Sequence, residues 1–98
     1  MIPQPEDVVA TLAEHRDELR QSGVASLVLF GSVARREANA ASDIDLLVDF
    51  DHPVGLFALH RLQSRLQEWL GRPVDLVPAD SLRPELRGRV LAEGLRAA

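Results

Sequence analysis

Three short apolar runs separated by helix-like segments most constrain what this chain can fold into. The runs cover residues 24–30, 43–49 and 74–77. Each run is too short for an amphipathic helix, so each predicts a β-strand. Around these runs, apolar residues recur at helical spacing. That spacing predicts helices over about 6–21, over 33–37, over 54–70 and from about 80 to 95.

The resulting order, α-β-α-β-α-β-α, predicts an α/β fold with helices packed on a small sheet. The long helical connection between the second and third strands favours a parallel pair. The first and second strands are joined by only about a dozen residues, and this leaves their relative direction open. The apolar spacing places Leu56 and Trp69 on one face of the helix over 54–70, and we expect Trp69 in the core. The last helix carries Leu86, Leu91 and Leu95.

Length and composition limit the class of protein. A chain of 98 residues with 46% hydrophobic content suits one domain, which we expect to span residues 1–98. The absence of cysteine excludes disulfides and cysteine-bound zinc. No run is apolar enough for a membrane helix, and the first residues do not resemble a signal peptide, so we expect a cytoplasmic location.

Charge excludes some functions and leaves others open. The net charge is −4, which argues against nucleic-acid binding through a broad basic surface. All 11 basic residues are arginines, so lysine nucleophiles, Schiff bases and the Walker A lysine are excluded. A local arginine cluster could still bind a phosphate.

The pair Asp43 and Asp45 is the first candidate for chemistry. Residues i and i+2 of a strand point to the same face, so both carboxylates stand together, about 7 Å apart at the backbone. Paired carboxylates can bind two Mg²⁺ or Mn²⁺ ions about 3.5–4 Å apart, as in phosphoryl-transfer sites. The alternative is that both aspartates face solvent at the start of a strand.

Asp75 is the second candidate, because it interrupts the apolar run at residues 74–77. A charge inside a buried strand is costly unless it is paired or metal-bound. If this strand lies beside the second, Asp75 can complete a metal-binding triad and orient or deprotonate an attacking hydroxyl. The alternative is a structural ion pair with Arg72 or Arg83.

Gly31 and Ser32 are the third candidate and lie between the first strand and a short helix. Glycine permits a close approach of the backbone, and the serine hydroxyl and following N–H groups can bind a phosphate. The alternative is a plain turn capped by serine. Arg35 and Arg36 follow by about one helical turn, and we favour Arg35 as the phosphate ligand. Both arginines could instead be simply solvated.

Together, Leu29–Arg35, Ser42–Val48 and Pro73–Val77 resemble the DNA polymerase β-type nucleotidyltransferases, and most closely the minimal nucleotidyltransferases (MNT proteins). The resemblance implies a small mixed sheet of about three to four strands. It also implies that Asp43, Asp45 and Asp75 bind metal and are catalytic, and that Gly31, Ser32 and Arg35 bind the nucleotide.

The same resemblance implies cofactors and a partner. Two Mg²⁺ ions, with Mn²⁺ possible, and ATP as substrate are expected. The implied partner is a HEPN-domain toxin, which an MNT antitoxin modifies by transferring AMP to a tyrosine. Two other functions stay open: a non-catalytic nucleotide-binding module that neutralises or scaffolds a partner by contact, and transfer to a small molecule or an RNA end.

Overall fold

The structure of the protein, a computed structural model, describes all residues from Met1 to Ala98. Five α-helices, four β-strands and one 3₁₀ turn follow one another along the chain. In order they are α1 (Pro5–Glu14), α2 (Arg16–Gln21), β1 (Val24–Phe30), α3 (Gly31–Ala34), β2 (Ile44–Phe50), α4 (Leu56–Leu70), β3 (Val74–Pro78), the 3₁₀ turn (Ala79–Ser81), α5 (Pro84–Glu93) and β4 (Leu95–Arg96).

The four strands form one mixed sheet in the order β3-β2-β1-β4. β2 and β3 are parallel, as the helical connection through α4 predicts. β1 and β2, whose direction the sequence leaves open, are antiparallel. The chain therefore reverses within the short segment that contains α3. This reversal places the end of β1 beside the start of β2, and the Gly-Ser pair beside the Asp-x-Asp pair.

One face of the sheet carries most of the core. Alternate residues of β2, namely Ile44, Leu46 and Val48, point to this face and are almost fully buried. They pack with residues of α1, α2 and α4 in a cluster of 15 buried side chains. The opposite face has only Val28, Leu47 and Ala79 fully buried, with a few half-buried neighbours that include Val90 of α5. Residues that alternate with the main core in β2 therefore lie on a thinly covered face.

The first predicted helix is interrupted at His15. This residue separates α1 from α2 and has φ −109° and ψ 19°, outside the regular helix. Its imidazole stacks on the indole of Trp69, with ring centroids 3.8 Å apart and planes 4° apart. Trp69, which was predicted in the core, is half-buried and packs against the edge of the main core. The sequence spacing across His15 stays helical, so the break is invisible to a periodicity argument.

The last predicted helix is too long. α5 ends at Glu93, and Leu95 belongs to β4, which pairs with β1 through Leu29 and Val28. Gly94 allows this approach, because a β-carbon there would lie 2.4 Å from Val28 Cγ1 and 2.9 Å from the Leu29 carbonyl oxygen. The prediction of a continuous helix was wrong because strand pairing with β1 depends on contacts distant in sequence.

Several leucines with the apolar spacing of the predicted helices are exposed. Leu56, the first residue of α4, is 69% exposed. Leu86, Leu91 and Leu95 are 46%, 51% and 42% exposed, and α5 buries no residue completely. Helical spacing defines a face but not whether another element covers it.

None of the helices combines the length and the apolar character needed to cross a membrane.

Candidate active site

Two carboxylates stand side by side on the thinly covered face of the sheet. In the parallel pairing of β2 with β3, Asp45 is the register partner of Asp75. Neighbouring strands lie about 4.8 Å apart, and residues in register point to the same face. On its other side, Asp45 is the partner of Phe30, the last residue of β1. The sheet therefore brings Asp45, Asp75 and the end of β1 together.

Gly31 packs its backbone directly against the side chain of Asp45. Its φ is +74°, which favours glycine over residues with a β-carbon. A β-carbon at Gly31 would lie 2.1 Å from Asp45 Oδ2 and 3.0 Å from Asp45 Cγ. The sequence-predicted Gly-Ser turn and the Asp-x-Asp pair are thus in van der Waals contact. Ser32, half-buried in the first turn of α3, follows at the same place.

Asp43 precedes β2 and is exposed, whereas Asp45 is half-buried. Partial burial raises the pKa of Asp45 above its ordinary value, and the negative charges of Asp75 and Asp43 raise it further. The Arg35 guanidinium opposes this rise. These influences place the three aspartates and Arg35 within one electrostatic neighbourhood. A bound cation would relieve the repulsion among the three carboxylates.

Asp75 lies in the predicted strand, but it is exposed rather than buried. The expectation that this charge is buried was therefore wrong, because β3 is an edge strand whose second face is open to solvent. The structural alternative is not seen either, since neither Arg72 nor Arg83 forms an ion pair with Asp75. Arg72 instead donates hydrogen bonds to backbone carbonyl oxygens.

The two arginines after Ser32 point in different directions. Arg35 donates from Nε to Glu37 Oε2 at 3.1 Å, and both side chains are about half exposed. Arg36 has φ 60° and forms an ion pair with Glu6 of α1. Arg36 is therefore committed to another surface, whereas Arg35 influences the Asp45 carboxylate. Glu37 was not among the candidates, and only its contact with Arg35 draws attention to it.

The acidic site is an open surface rather than a deep pocket. No three His, Asp or Glu side chains are grouped closely enough to form a preassembled metal-binding cluster. The donors nevertheless suit a hard divalent cation, because all three are carboxylates. The pKa of Asp45 is raised first by burial and then by the charges of Asp75 and Asp43. A cavity of about 660 Å³ lies elsewhere, between the end of β2 and the start of α4, and contains none of the predicted site residues.

Comparison with known proteins identifies the family of this chain. Residues 12–96 match the model of the nucleotidyltransferase domain family. The chain is 39% identical over 89 residues to the protein adenylyltransferase MntA of Thermococcus cleftensis, and the match covers 90% of each chain.

Two solved structures share the fold. One, assigned to the minimal nucleotidyltransferases, superposes with a TM-score of 0.82 at 36% identity and covers 95% of both chains. The other is a crystal structure of a toxin–antitoxin with AMP-PNP. It has a TM-score of 0.72 at 26% identity and covers 96% of this chain and 73% of that one. The mixed sheet is therefore that of the minimal nucleotidyltransferases, and the chain belongs to the nucleotidyltransferase domain family and is an enzyme of this type.

Proposed function

We propose that this protein is an adenylyltransferase that transfers AMP from ATP to a hydroxyl group of a partner protein, a HEPN-type toxin, and thereby acts as its antitoxin. The observation that carries the proposal is the meeting of Gly31, Asp45 and Asp75 at one end of the sheet. The small chain offers this site on an open face. A macromolecular acceptor can therefore reach it and supply its own docking surface.

ATP and Mg²⁺ suit the charges of this site. Asp43, Asp45 and Asp75 would hold the divalent ions, two in the family pattern, with Mn²⁺ as an alternative. When bound, the ions neutralise the phosphates and the developing negative charge. Gly31 and Ser32 would bind the phosphates through backbone N–H groups and the serine hydroxyl. Arg35 would bind a terminal phosphate through its guanidinium.

The reaction is a substitution at the α-phosphorus of ATP. The acceptor oxygen forms a bond to this phosphorus while the bond to the bridging oxygen of the β-phosphate breaks. The products are AMP esterified to the acceptor and pyrophosphate. The hydroxyl proton passes to a carboxylate, for which Asp75 is suited by its exposure on the open face. Arg35 would stabilise the departing pyrophosphate.

The proposed class of partner rests on similarity to known proteins together with the net charge of the chain. The relative in Thermococcus cleftensis carries the name protein adenylyltransferase. A structure with the same fold is of a toxin–antitoxin pair. The HEPN class of partner follows from the MNT resemblance of the sequence. An acidic chain with net charge −4 also suits a basic partner.

The test is transfer of label from [α-³²P]ATP to a co-encoded HEPN protein in the presence of Mg²⁺. The wild-type chain should label the partner. Asp43→Asn and Asp45→Asn should each abolish labelling while circular dichroism shows an intact fold. The matched control is Asp49→Asn, which removes a carboxylate from the exposed part of β2 outside the site. It should label normally.

Two results would contradict the proposal. Absence of label on the partner with a folded wild-type chain would exclude transfer to that acceptor. An Asp43→Ala/Asp45→Ala variant that neutralises the toxin as well as the wild type does would show that neutralisation proceeds by contact. That second result would favour a binding module as the antitoxin mechanism.

A further inference from the structure

Asp43 is the site carboxylate that the sheet holds least. It lies immediately before β2, at the end of an irregular segment that begins after α3. Asp45 and Asp75, in contrast, are fixed by strand pairing. Something other than the sheet must therefore set the position of the Asp43 side chain relative to the other two.

The turn before Asp43 is closed by its own hydrogen bonds. The Asn39 side-chain oxygen accepts from the Ala41 N–H at 2.8 Å, and the Ser42 hydroxyl oxygen accepts from the Asn39 N–H at 2.9 Å. The Ser42 N–H donates to the Asn39 carbonyl at 3.1 Å. These bonds fix the internal shape of the turn. None of them ties the turn to the sheet.

Arg72 and Pro73, the dipeptide that leads into β3, make that connection. Arg72 Nη1 donates to the Ser42 carbonyl at 2.9 Å and to the Ala40 carbonyl at 3.2 Å. On the other side of Asp43, the Ile44 N–H donates to the Pro73 carbonyl at 3.0 Å. The peptide groups that flank Asp43 on both sides are thus bonded to one dipeptide. Two residues further along the chain, the same dipeptide leads to Asp75.

The guanidinium of Arg72 donates its hydrogen bonds to the backbone and forms no ion pair. Arg72 has no carboxylate partner, and its third contact, from Nη2 to the Met1 carbonyl at 2.5 Å, is also to the backbone. Hydrogen bonds from a charged donor are stronger than neutral ones. The planar guanidinium can also span two carbonyl oxygens at once, which the ammonium of lysine does less well.

From these contacts we infer that Arg72 is a positioning residue that fixes Asp43 relative to Asp75 and so sets the affinity of the acidic site for metal-bound ATP. This inference rests on the proposed function, in which these carboxylates bind the metal. Residues that orient metal ligands from behind typically change metal affinity or activity by about 10- to 100-fold when replaced. Arg72→Ala should therefore weaken binding of Mg²⁺-bound ATP by about tenfold or more.

The experiment is calorimetric titration of the full chain with ATP in excess Mg²⁺, together with amide hydrogen exchange of the free protein. Arg72→Ala should lose affinity, and its exchange should accelerate locally in residues 39–44. Arg72→Lys should lie between wild type and Arg72→Ala in affinity. Arg61→Ala is the matched control, since Arg61 is an exposed arginine of α4 without an ion pair, and it should behave as wild type.

The outcomes separate this inference from the proposed function. A wild-type chain that does not bind Mg²⁺-bound ATP would overturn the proposed function and this inference with it. Normal affinity in Arg72→Ala with binding in the wild type would overturn the role of Arg72 alone. Faster exchange throughout the sheet, instead of in residues 39–44, would also overturn it. If Arg72→Ala does not fold, wild-type affinity in Arg72→Lys would count against the inference, and reduced affinity would support it.

Discussion

The backbone of Gly31 lies against the carboxylate of Asp45, so closely that a β-carbon at residue 31 would be 2.1 Å from Asp45 Oδ2. This contact joins the two halves of the sequence motif. The turn after β1 offers N–H groups, and β2 offers a carboxylate that lies against the backbone of this turn. Gly31 is therefore required both by its positive φ and by the space that Asp45 occupies.

Gly31→Ala should destabilise the fold more than Gly71→Ala. Both glycines have positive φ, +74° and +69°. For that reason, replacing either one should lower the free energy of unfolding by roughly 1–2 kcal/mol. Only Gly31 adds a steric clash, because open space surrounds Gly71. Urea unfolding of the two variants measures the difference. Equal losses would mean that the Asp45 side chain moves aside without cost.

Asp45→Asn should stabilise the metal-free protein at neutral pH. The pKa of Asp45 is raised in the folded state by burial and by Asp75 and Asp43, so the folded state binds the proton more tightly than the unfolded state does. The free energy of unfolding should therefore fall as pH rises from the ordinary value of 3.8 through the raised pKa. Above the raised pKa, the wild type carries the full cost of an ionised Asp45 in the folded state. Asparagine has no charge and removes this cost.

The measurement for this prediction is thermal unfolding of wild type and Asp45→Asn in EDTA across a pH series. The stability gain of the variant should be largest at neutral pH and should vanish towards pH 3.8. Asp49→Asn provides the comparison, since Asp49 is exposed in the same strand. A variant that is less stable than wild type at pH 7 would contradict the sign of this effect.

Mg²⁺ should raise the melting temperature of the wild-type chain. A cation bound by the native carboxylates stabilises the folded state by mass action. The shift should be smaller in Asp43→Asn, Asp45→Asn and Asp75→Asn and unchanged in Asp49→Asn. Differential scanning fluorimetry with and without EDTA is sufficient. An equal shift in all variants would indicate that Mg²⁺ acts elsewhere on this acidic chain.

Arg35→Ala should weaken ATP binding by about tenfold, as the loss of one charge-assisted contact implies. Arg36→Ala should bind ATP normally, because Arg36 is paired with Glu6 on another surface. Both variants remove one arginine from adjacent positions, so general charge effects cancel in the comparison. Equal loss in the two would show that the net charge, rather than the position of Arg35, governs affinity.

Local patterns in the sequence were sufficient for much of this protein. The apolar runs located β1, β2 and β3 to within about one residue, because a buried strand needs a continuous apolar stretch. Alternation along a strand predicted that Asp43 and Asp45 share one face, but Asp43 lies just before β2 and outside its alternation. Helical spacing gave α4 and also predicted the parallel direction of β2 and β3.

The same patterns failed to predict burial, because burial depends on which other elements pack against a side chain. Leu56 and Leu91 have the spacing of core residues, yet no element covers them. Asp75 interrupts an apolar run, yet it faces solvent because β3 is an edge strand. A periodic pattern reports which side chains share a face and is silent on what packs against that face.

The sequence by itself determined β1, β2 and β3 and singled out three aspartates and the Gly-Ser turn as candidates, since these depend on residue type and spacing within one segment. Only the tertiary structure decided that β1 runs antiparallel to β2, that Leu95 and Arg96 form a fourth strand, and that Arg72 holds the turn before Asp43. Each of these depends on hydrogen bonds or contacts between residues far apart along the chain. Such pairings are selected by the packing of the whole domain and leave no periodic trace in a local stretch of sequence.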